Sequence, residues 1–155
     1  MTQHLAELNI ARLRYPLEDP RVAAFVKALD LVNGIAERSE GFVWRLKDES
    51  GNATAIDGFG DPLVIVNMSV WRDVASFENF VWKTVHRQFY ARRAEWFEIM
   101  EKQHFVMWHV AAGEIPTVAE AKGRLDELNK HGNSDRAFGW SHLPEVKLWQ
   151  QARCA

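Results

Sequence analysis

The chain has 155 residues, of which 47% are hydrophobic and 26% charged, and its formal net charge is -2. This length and composition predict a single globular domain over residues 1–155, with a core of its own. The small net charge provides no basic surface for nucleic acid and no polybasic patch for a membrane, and no apolar run is long enough to span a bilayer. We therefore expect neither nucleic acid nor a membrane as a partner.

Residues near both ends of the chain indicate the cellular compartment in which the protein is expected. The only cysteine, Cys154, excludes an intrachain disulfide. Residues 1–4 lack the basic and apolar segments of a signal peptide. These features predict a cytoplasmic protein.

Apolar alternation and helical spacing predict the element order β-α-β-β-α-β, followed by a further helix. The first six elements form a core over residues 4–112, and residues 116–155 form a C-terminal extension. A polar loop at 48–61 is either a functional lid or a simple surface loop. The expected elements are strands at 5–13, 42–47, 63–71 and 104–111, helices at 20–38 and from 74 to about 101 (with a break near Phe89 as the alternative), a helix from the capping box Thr117–Glu120 to His131, and a short edge strand at 137–140.

This order is the split βαβ, or ferredoxin-like, pattern, in which the sheet order is 4-1-3-2 and both main helices cover one face. The third and fourth strands are apolar on both sides, so the other face also needs a cover. A second copy of the sheet would supply it, which predicts a sheet-to-sheet homodimer. The alternative is that the extra C-terminal helix folds over that face in a monomer.

Seven tryptophans between Trp44 and Trp149 are a high number for this length. Tryptophan buries a large apolar area and carries an N–H that needs a partner. The tryptophans belong either to a large core and an interface or to an aromatic-lined pocket for a flat ligand.

Two asparagines lie in strands, where asparagine is depleted. Asn9 is in the first strand and Asn67 in the third, and these strands are neighbours in the 4-1-3-2 order. We expect both amides to be buried and to border one cavity with Trp82 and His86, with the 48–61 loop near its mouth. The alternative is that each amide bonds only to backbone or to buried water.

Trp71-Arg72-Asp73, followed by Phe77, Phe80 and His86, resembles the second-helix signature of the dimeric α+β barrel superfamily, which includes antibiotic-biosynthesis-type monooxygenases and haem-degrading enzymes. Within it, the chain is most similar to an uncharacterised bacterial family. The stretches that carry this similarity are 4–14, 41–50, 64–71, 86–97 and 113–128.

The resemblance implies a monooxygenase-like oxidoreductase acting on a small hydrophobic or aromatic molecule. In related enzymes an asparagine on the first strand, a tryptophan and a second-helix histidine share the pocket. Asn9, either Trp71 or Trp82, and His86 are the matching residue types here, and we take Asn9, Trp82 and His86 as the candidate catalytic residues.

The spacing His86-x5-Arg92-Arg93-x2-Trp96 resembles a segment of haem-containing carotenoid monooxygenases in the same superfamily. It implies that His86 ligates haem iron and that Arg92 or Arg93 binds the propionates. Asn67, Trp71 and Trp96 would then line the cofactor pocket.

Other classes of function stay open beside this one. The protein could work without a cofactor, as an isomerase or cyclase with His86 as general base. It could also be a non-catalytic small-molecule-binding or structural dimer. The sequence contains no zinc-type spacing, nucleophile elbow, dinucleotide fingerprint or P-loop.

Overall fold

The computed structural model describes residues 2–47, 63–83, 88, 91–98 and 104–143, so the predicted 48–61 loop lies outside the described residues. Two 3-10 turns, Pro20–Val22 and Trp140–His142, accompany the main elements. In chain order these are β1 (Gln3–Arg12), α1 (Ala23–Arg38), β2 (Phe42–Arg45), β3 (Val64–Trp71), α2 (Val74–Lys83), α3 (Arg93–Trp96), β4 (Phe105–Ala111) and α4 (Val118–His131).

The four strands form one antiparallel sheet in the order β2-β3-β1-β4, which reads β4-β1-β3-β2 from the opposite edge. The prediction of an α+β chain with a four-stranded antiparallel sheet is confirmed. In the register of β1 and β3, Asn9 faces Asn67 and Glu7 faces Ser69. On the other side of β1, Asn9 is paired with Phe105.

The two faces of the sheet have different covers within the chain. On one face, which we call the α1/α2 face, Leu5, Trp71 and Met107 pack against both main helices. On the opposite face, the α4 face, Leu8 and Trp108 belong to a cluster that α4 completes. Side chains along β1 therefore alternate between two buried environments.

α4 begins at the predicted cap, where the Thr117 side chain accepts a hydrogen bond from the Glu120 backbone N–H at 3.1 Å. Its buried residues Ala121, Leu125 and Leu128 pack against the strands, and Trp108 beneath them is fully buried. The sheet-to-sheet homodimer was inferred from an uncovered apolar face, and α4 covers much of that face in the same chain. The apolar face therefore no longer supports the inference of a partner sheet.

β2 departs from the strict alternation that its sequence predicts. The pairing register shifts between Phe42 and Trp44. Phe42 meets Trp71 edge to face on the α1/α2 face, with ring centroids 5.5 Å apart, whereas Trp44 packs in the cluster on the α4 face. An extra residue in one strand changes which face the following side chains occupy. The bulge brings Arg45 beside Ser69.

The predicted helix from 74 to about 101 is wrong at its C-terminal end. α3 ends at Trp96, and Phe97 is extended and forms a bridge with Leu13. Trp96 is buried in a third cluster with Leu13, Val22 and Phe25. The helix ends here because Trp96 is buried in this cluster and Phe97 pairs with the end of β1. The alternative break near Phe89 falls on a residue that is not described.

The segment after α4 passes along the β4 edge and returns to the α1/α2 face. Phe138 exchanges two backbone hydrogen bonds with Met107, of 2.8 and 3.0 Å. Of the edge strand predicted at 137–140, only this pairing with β4 forms, and Trp140 begins a 3-10 turn instead. Trp140 is thereby placed against α2. In the part of the chain that the structure describes, no helix has the length and apolarity needed to cross a membrane.

Gly41 joins α1 to β2 at a position that has no room for a side chain. Its φ is +84°, and a Cβ added to it would overlap the Ser76 side chain on α2. Gly113 has a similar φ of +92°, but a Cβ added there would meet nothing within 4 Å.

We expect Gly41→Ala to lower the free energy of unfolding by about 2–5 kcal/mol, from backbone strain and overpacking together. The matched Gly113→Ala should cost only the strain, about 1–2 kcal/mol. Chemical denaturation of both variants measures the difference. Equal losses would contradict the close packing of Gly41 on Ser76.

Candidate functional site

A cavity of about 550 Å³ lies between the sheet and the two main helices. Among the described residues, β1 and β3 supply its polar floor, with Asn9, Asn67, Glu7 and Ser69. α1, α2 and the 3-10 turn at Trp140 supply its walls. The residues around the cavity therefore come from segments that are far apart in the sequence.

The two asparagines lie on the same face of the sheet because they are directly paired across β1 and β3. Both line the cavity. Asn9 is half-buried and Asn67 is exposed, so the expectation that both amides are buried is wrong. Because Asn67 lines the cavity and is exposed, a ligand in the cavity can contact it.

The more deeply buried polar pair is Glu7 and Ser69, one step along the same face, with exposed fractions of 4% and 6%. The Ser69 hydroxyl donates a hydrogen bond of 2.6 Å to Glu7 Oε1. It accepts one of 2.9 Å from Trp71 Nε1. Burial raises the pKa of Glu7 to about 8, while the bond from Ser69 acts in the opposite direction.

The walls of the cavity are aromatic, and three rings from different elements are nearly parallel. Trp140 stacks on Phe77 of α2 at 5.4 Å and 11°, and on Phe105 of β4 at 5.7 Å and 13°. Trp82 also contacts Trp140, with centroids 6.0 Å apart. Parallel rings favour a flat ligand, which can stack in the same orientation.

The charged groups at the cavity are few. Arg45 from β2 lines it, but Arg45 Nε is bonded to Glu37 Oε1 of α1 at 2.7 Å. His104, just before β4, also lines the cavity and is exposed. With Glu7, these are the ionisable side chains that line the cavity in the described residues.

The structure divides the residues predicted from the sequence into three groups. Asn9, Asn67, Trp71 and Trp82 come together around the cavity. Arg92, Arg93 and Trp96 do not line it. His86 lies outside the described residues.

The neighbours of Arg92 and Trp96 explain their separation from the cavity. Arg92 forms an ion pair with Glu95 at 2.9 Å, and its guanidinium lies 4.7 Å from the Trp96 ring centre. Trp96 is only 2% exposed and belongs to the cluster around Phe25. Arg92 and Trp96 therefore make their contacts away from the cavity, and their role as haem ligands stays a prediction.

Sequence reasoning missed Glu7, Ser69, Arg45 and Trp140. A signal for Glu7 was available, since it is an acidic residue inside a strand and shares its face with Leu5. An inward-facing charge in a central strand is costly and calls for an explanation. The position of Arg45 at the cavity depends on the β2 bulge, and that of Trp140 depends on the path of the chain after α4. Neither the bulge nor the path is visible as a local pattern in the sequence.

A second pocket of about 500 Å³ lies near the end of β4. Within it, His142 Nε2 is 3.3 Å from Asp135 Oδ1. No group of three side chains that could hold a metal ion occurs within the described ranges. Because this pocket holds no buried polar pair, the cavity on the α1/α2 face is the candidate site. The second pocket is lined by Gln3, His109, Asp135, Phe138, His142 and Leu143.

Comparison with known proteins gives a family without an assigned activity. The model of a domain of unknown function (DUF3291) matches residues 4–154. The chain belongs to this family. A search among curated proteins found no match.

The solved structures that the chain resembles include three proteins at low sequence identity. The NE2512 protein of unknown function from Nitrosomonas europaea is 14% identical, with a TM-score of 0.49, and the match covers 75% of this chain and 97% of that one. Protein SO0527 from Shewanella oneidensis is 14% identical, with a TM-score of 0.48 and coverages of 71% and 93%. PA3566 from Pseudomonas aeruginosa is 14% identical, with a TM-score of 0.46 and coverages of 74% and 98%. No residue role is transferred at these values.

Glu7 makes stability depend on pH in a defined direction. An ordinary glutamate, as in the unfolded chain, has a pKa of 4.5, and burial raises that of Glu7 to about 8. Between these values the folded protein keeps a proton that the unfolded chain releases, so the free energy of unfolding falls as pH rises. At about 1.4 kcal/mol per pH unit, the loss across this window amounts to a few kcal/mol.

We expect Glu7→Gln to be more stable than the wild type at about pH 8, with a gain that shrinks toward pH 5 as Glu7 becomes protonated in the unfolded chain too. Urea denaturation at a series of pH values measures it. Glu114→Gln, at an exposed site, controls for removal of one negative charge. Parallel pH profiles for the wild type and Glu7→Gln would contradict the buried carboxyl.

Proposed function

We propose that this protein binds a flat, largely apolar molecule in the cavity on the α1/α2 face and acts on it as a monooxygenase-like oxidoreductase. The observation that carries the proposal is the paired amides of Asn9 and Asn67 beneath an aromatic wall. Polar groups at one end of an apolar cavity are the usual arrangement for orienting a small molecule. The reaction class comes from the resemblance to the dimeric α+β barrel superfamily.

In this proposal the amides of Asn9 and Asn67 contact a polar substituent of the ligand, and the rings of Phe77, Phe105 and Trp140 hold its flat body. The Trp71 and Trp82 side chains are buried in the same wall, and we infer that the ligand enters from the side of the exposed Asn67.

The sequence left open whether the reaction depends on haem. The contacts of the arginines give more support to a reaction without haem. Arg92 and Arg93, the expected propionate ligands, do not line the cavity. Arg45, which does, is bonded to Glu37. We expect added hemin to give no Soret band of ligated haem in the purified protein. A band that is present in the wild type and disappears in His86→Ala would establish the haem-dependent route instead.

A second candidate is a cofactor-free isomerase or cyclase. The observation that favours it is a buried carboxyl group at the cavity, since such reactions need a group that exchanges protons near neutral pH. The sequence assigned this role to His86. Glu7, with a pKa of about 8, is suited to it.

The homodimer stays a prediction, with a changed interface. α4 occupies much of the face on which the partner sheet was expected, so two copies would have to meet elsewhere. Light scattering tests it, because a dimer has twice the 17.9 kDa mass of the chain. A monomer at micromolar concentration would contradict it.

Binding of hydroxylated naphthalenes and anthracenes tests the site. We expect Asn9→Ala and Asn67→Ala each to weaken binding of these compounds about fivefold, the loss of one hydrogen bond of about 1 kcal/mol. Asn129→Ala on α4 is the matched control and should bind as the wild type does. Equilibrium dialysis measures the affinities. An Asn129→Ala effect equal to that of Asn67→Ala would contradict the site.

Oxygen uptake and product mass separate the classes of function. An oxidoreductase of the proposed kind that works without a cofactor consumes O2, and the substrate itself supplies the two electrons that reduce the second oxygen atom to water. A CH2 group of the substrate then becomes a carbonyl group, so the product has gained one oxygen atom and lost two hydrogen atoms. A product of unchanged mass would indicate the isomerase or cyclase, and binding without turnover a non-catalytic protein. An oxygen electrode and mass spectrometry on the compounds that bind give these readouts.

A further inference from the structure

A hydrogen-bond chain of Trp71, Ser69 and Glu7 lies at the floor of the cavity. The Trp71 indole N–H is only a donor, so the Ser69 oxygen must accept its bond. The one hydrogen of the Ser69 hydroxyl then goes to Glu7 Oε1. Both donors point toward Glu7, and its second oxygen is left out of this chain.

The surroundings of Glu7 favour the neutral acid. Glu7 is 4% exposed, and burial raises its pKa to about 8, so the carboxyl carries its proton at neutral pH. With Ser69 donating to Oε1, the acidic hydrogen lies on Oε2. That hydrogen is a hydrogen-bond donor and needs an acceptor. The ligand of this cavity can provide that acceptor.

The other ionisable groups around Glu7 are few within the described residues. β2 provides Arg45, which is bonded to Glu37 of α1, and His104 precedes β4. The side chains of α2 that line the cavity are not ionisable, and on β4 Met107 is paired with Glu7. At neutral pH the floor thus offers amide and acid donors and no carboxylate, which suits an uncharged ligand with an acceptor oxygen.

We propose that Glu7 selects flat, uncharged molecules that carry a carbonyl-type oxygen, by donating its carboxylic hydrogen to that oxygen on the floor of the cavity. The inference rests on the proposed function, because it names the substrate class of the same site. Glu7 then acts as a proton-gated contact. A neutral carbonyl ligand binds when the acid is protonated and is rejected when it becomes a carboxylate.

A pair of neutral probes tests this directly. 9-Fluorenone carries the carbonyl oxygen and fluorene lacks it, and neither titrates between about pH 6.5 and about pH 9.5, so any pH dependence belongs to the protein. Equilibrium dialysis of the full chain gives both affinities at each pH. Circular dichroism at each pH confirms that the protein is folded.

We expect fluorenone binding to weaken about tenfold for each pH unit above the Glu7 pKa of about 8, because only the protonated fraction is competent. Fluorene binding should not change with pH. In Glu7→Gln, which keeps a donor and does not titrate, fluorenone binding should become independent of pH. In Ser69→Ala the loss of binding should shift to higher pH, because the carboxylate loses its hydrogen bond.

The possible failures are distinct. If fluorenone binds the wild type with an affinity that does not fall with pH, or falls equally in Glu7→Gln, the Glu7 inference is overturned and the cavity proposal stands. If binding tightens as pH rises, the protonated acid is not the contact to the carbonyl oxygen, and the inference is overturned. If neither probe binds at any pH, the proposed function and this inference fail together.

Discussion

β1 lies between β3 and β4 and is hydrogen-bonded to both, and this double pairing decides which side chains share an environment. Its register places Asn9 opposite Asn67 and Glu7 opposite Ser69. Side chains alternate along a strand, so a slip of one residue would move Glu7 to the α4 face, among Leu8 and Trp108. The polar floor of the cavity is therefore a direct consequence of strand pairing.

The tryptophans show how one residue type serves both of the roles that the sequence left open. Trp108 and Trp96 are core residues, in the α4 face cluster and in the third cluster respectively. Trp71, Trp82 and Trp140 line the cavity. Trp71 does both, since it is fully buried and also supplies the N–H that orients Ser69 toward Glu7.

The candidate site follows from the sequence only in part. That Asn9 and Asn67 border one cavity was predicted from their places in neighbouring strands, but their direct pairing depends on the register of β1 and β3. The grouping of Arg92 with the cavity was not supported, because the second helix was expected to run to about Glu101 and α3 instead places Trp96 beside Phe25. A sequence pattern indicates which face of each element is buried. It does not show where a helix ends so that an aromatic ring can be buried.

The sequence by itself determined the four strands and the two main helices through their local periodicity, and the cap of α4 through its capping residue. The antiparallel four-stranded sheet followed from the order of these elements. Only the tertiary structure decided that α4 covers a sheet face within the same chain, that a bulge in β2 turns Arg45 toward Ser69, and that Trp140 returns to stack on Phe77. It also decided the chemistry of Glu7. The pKa of a carboxyl group is set by what surrounds it, and the residues that surround Glu7 come from segments far apart in the chain.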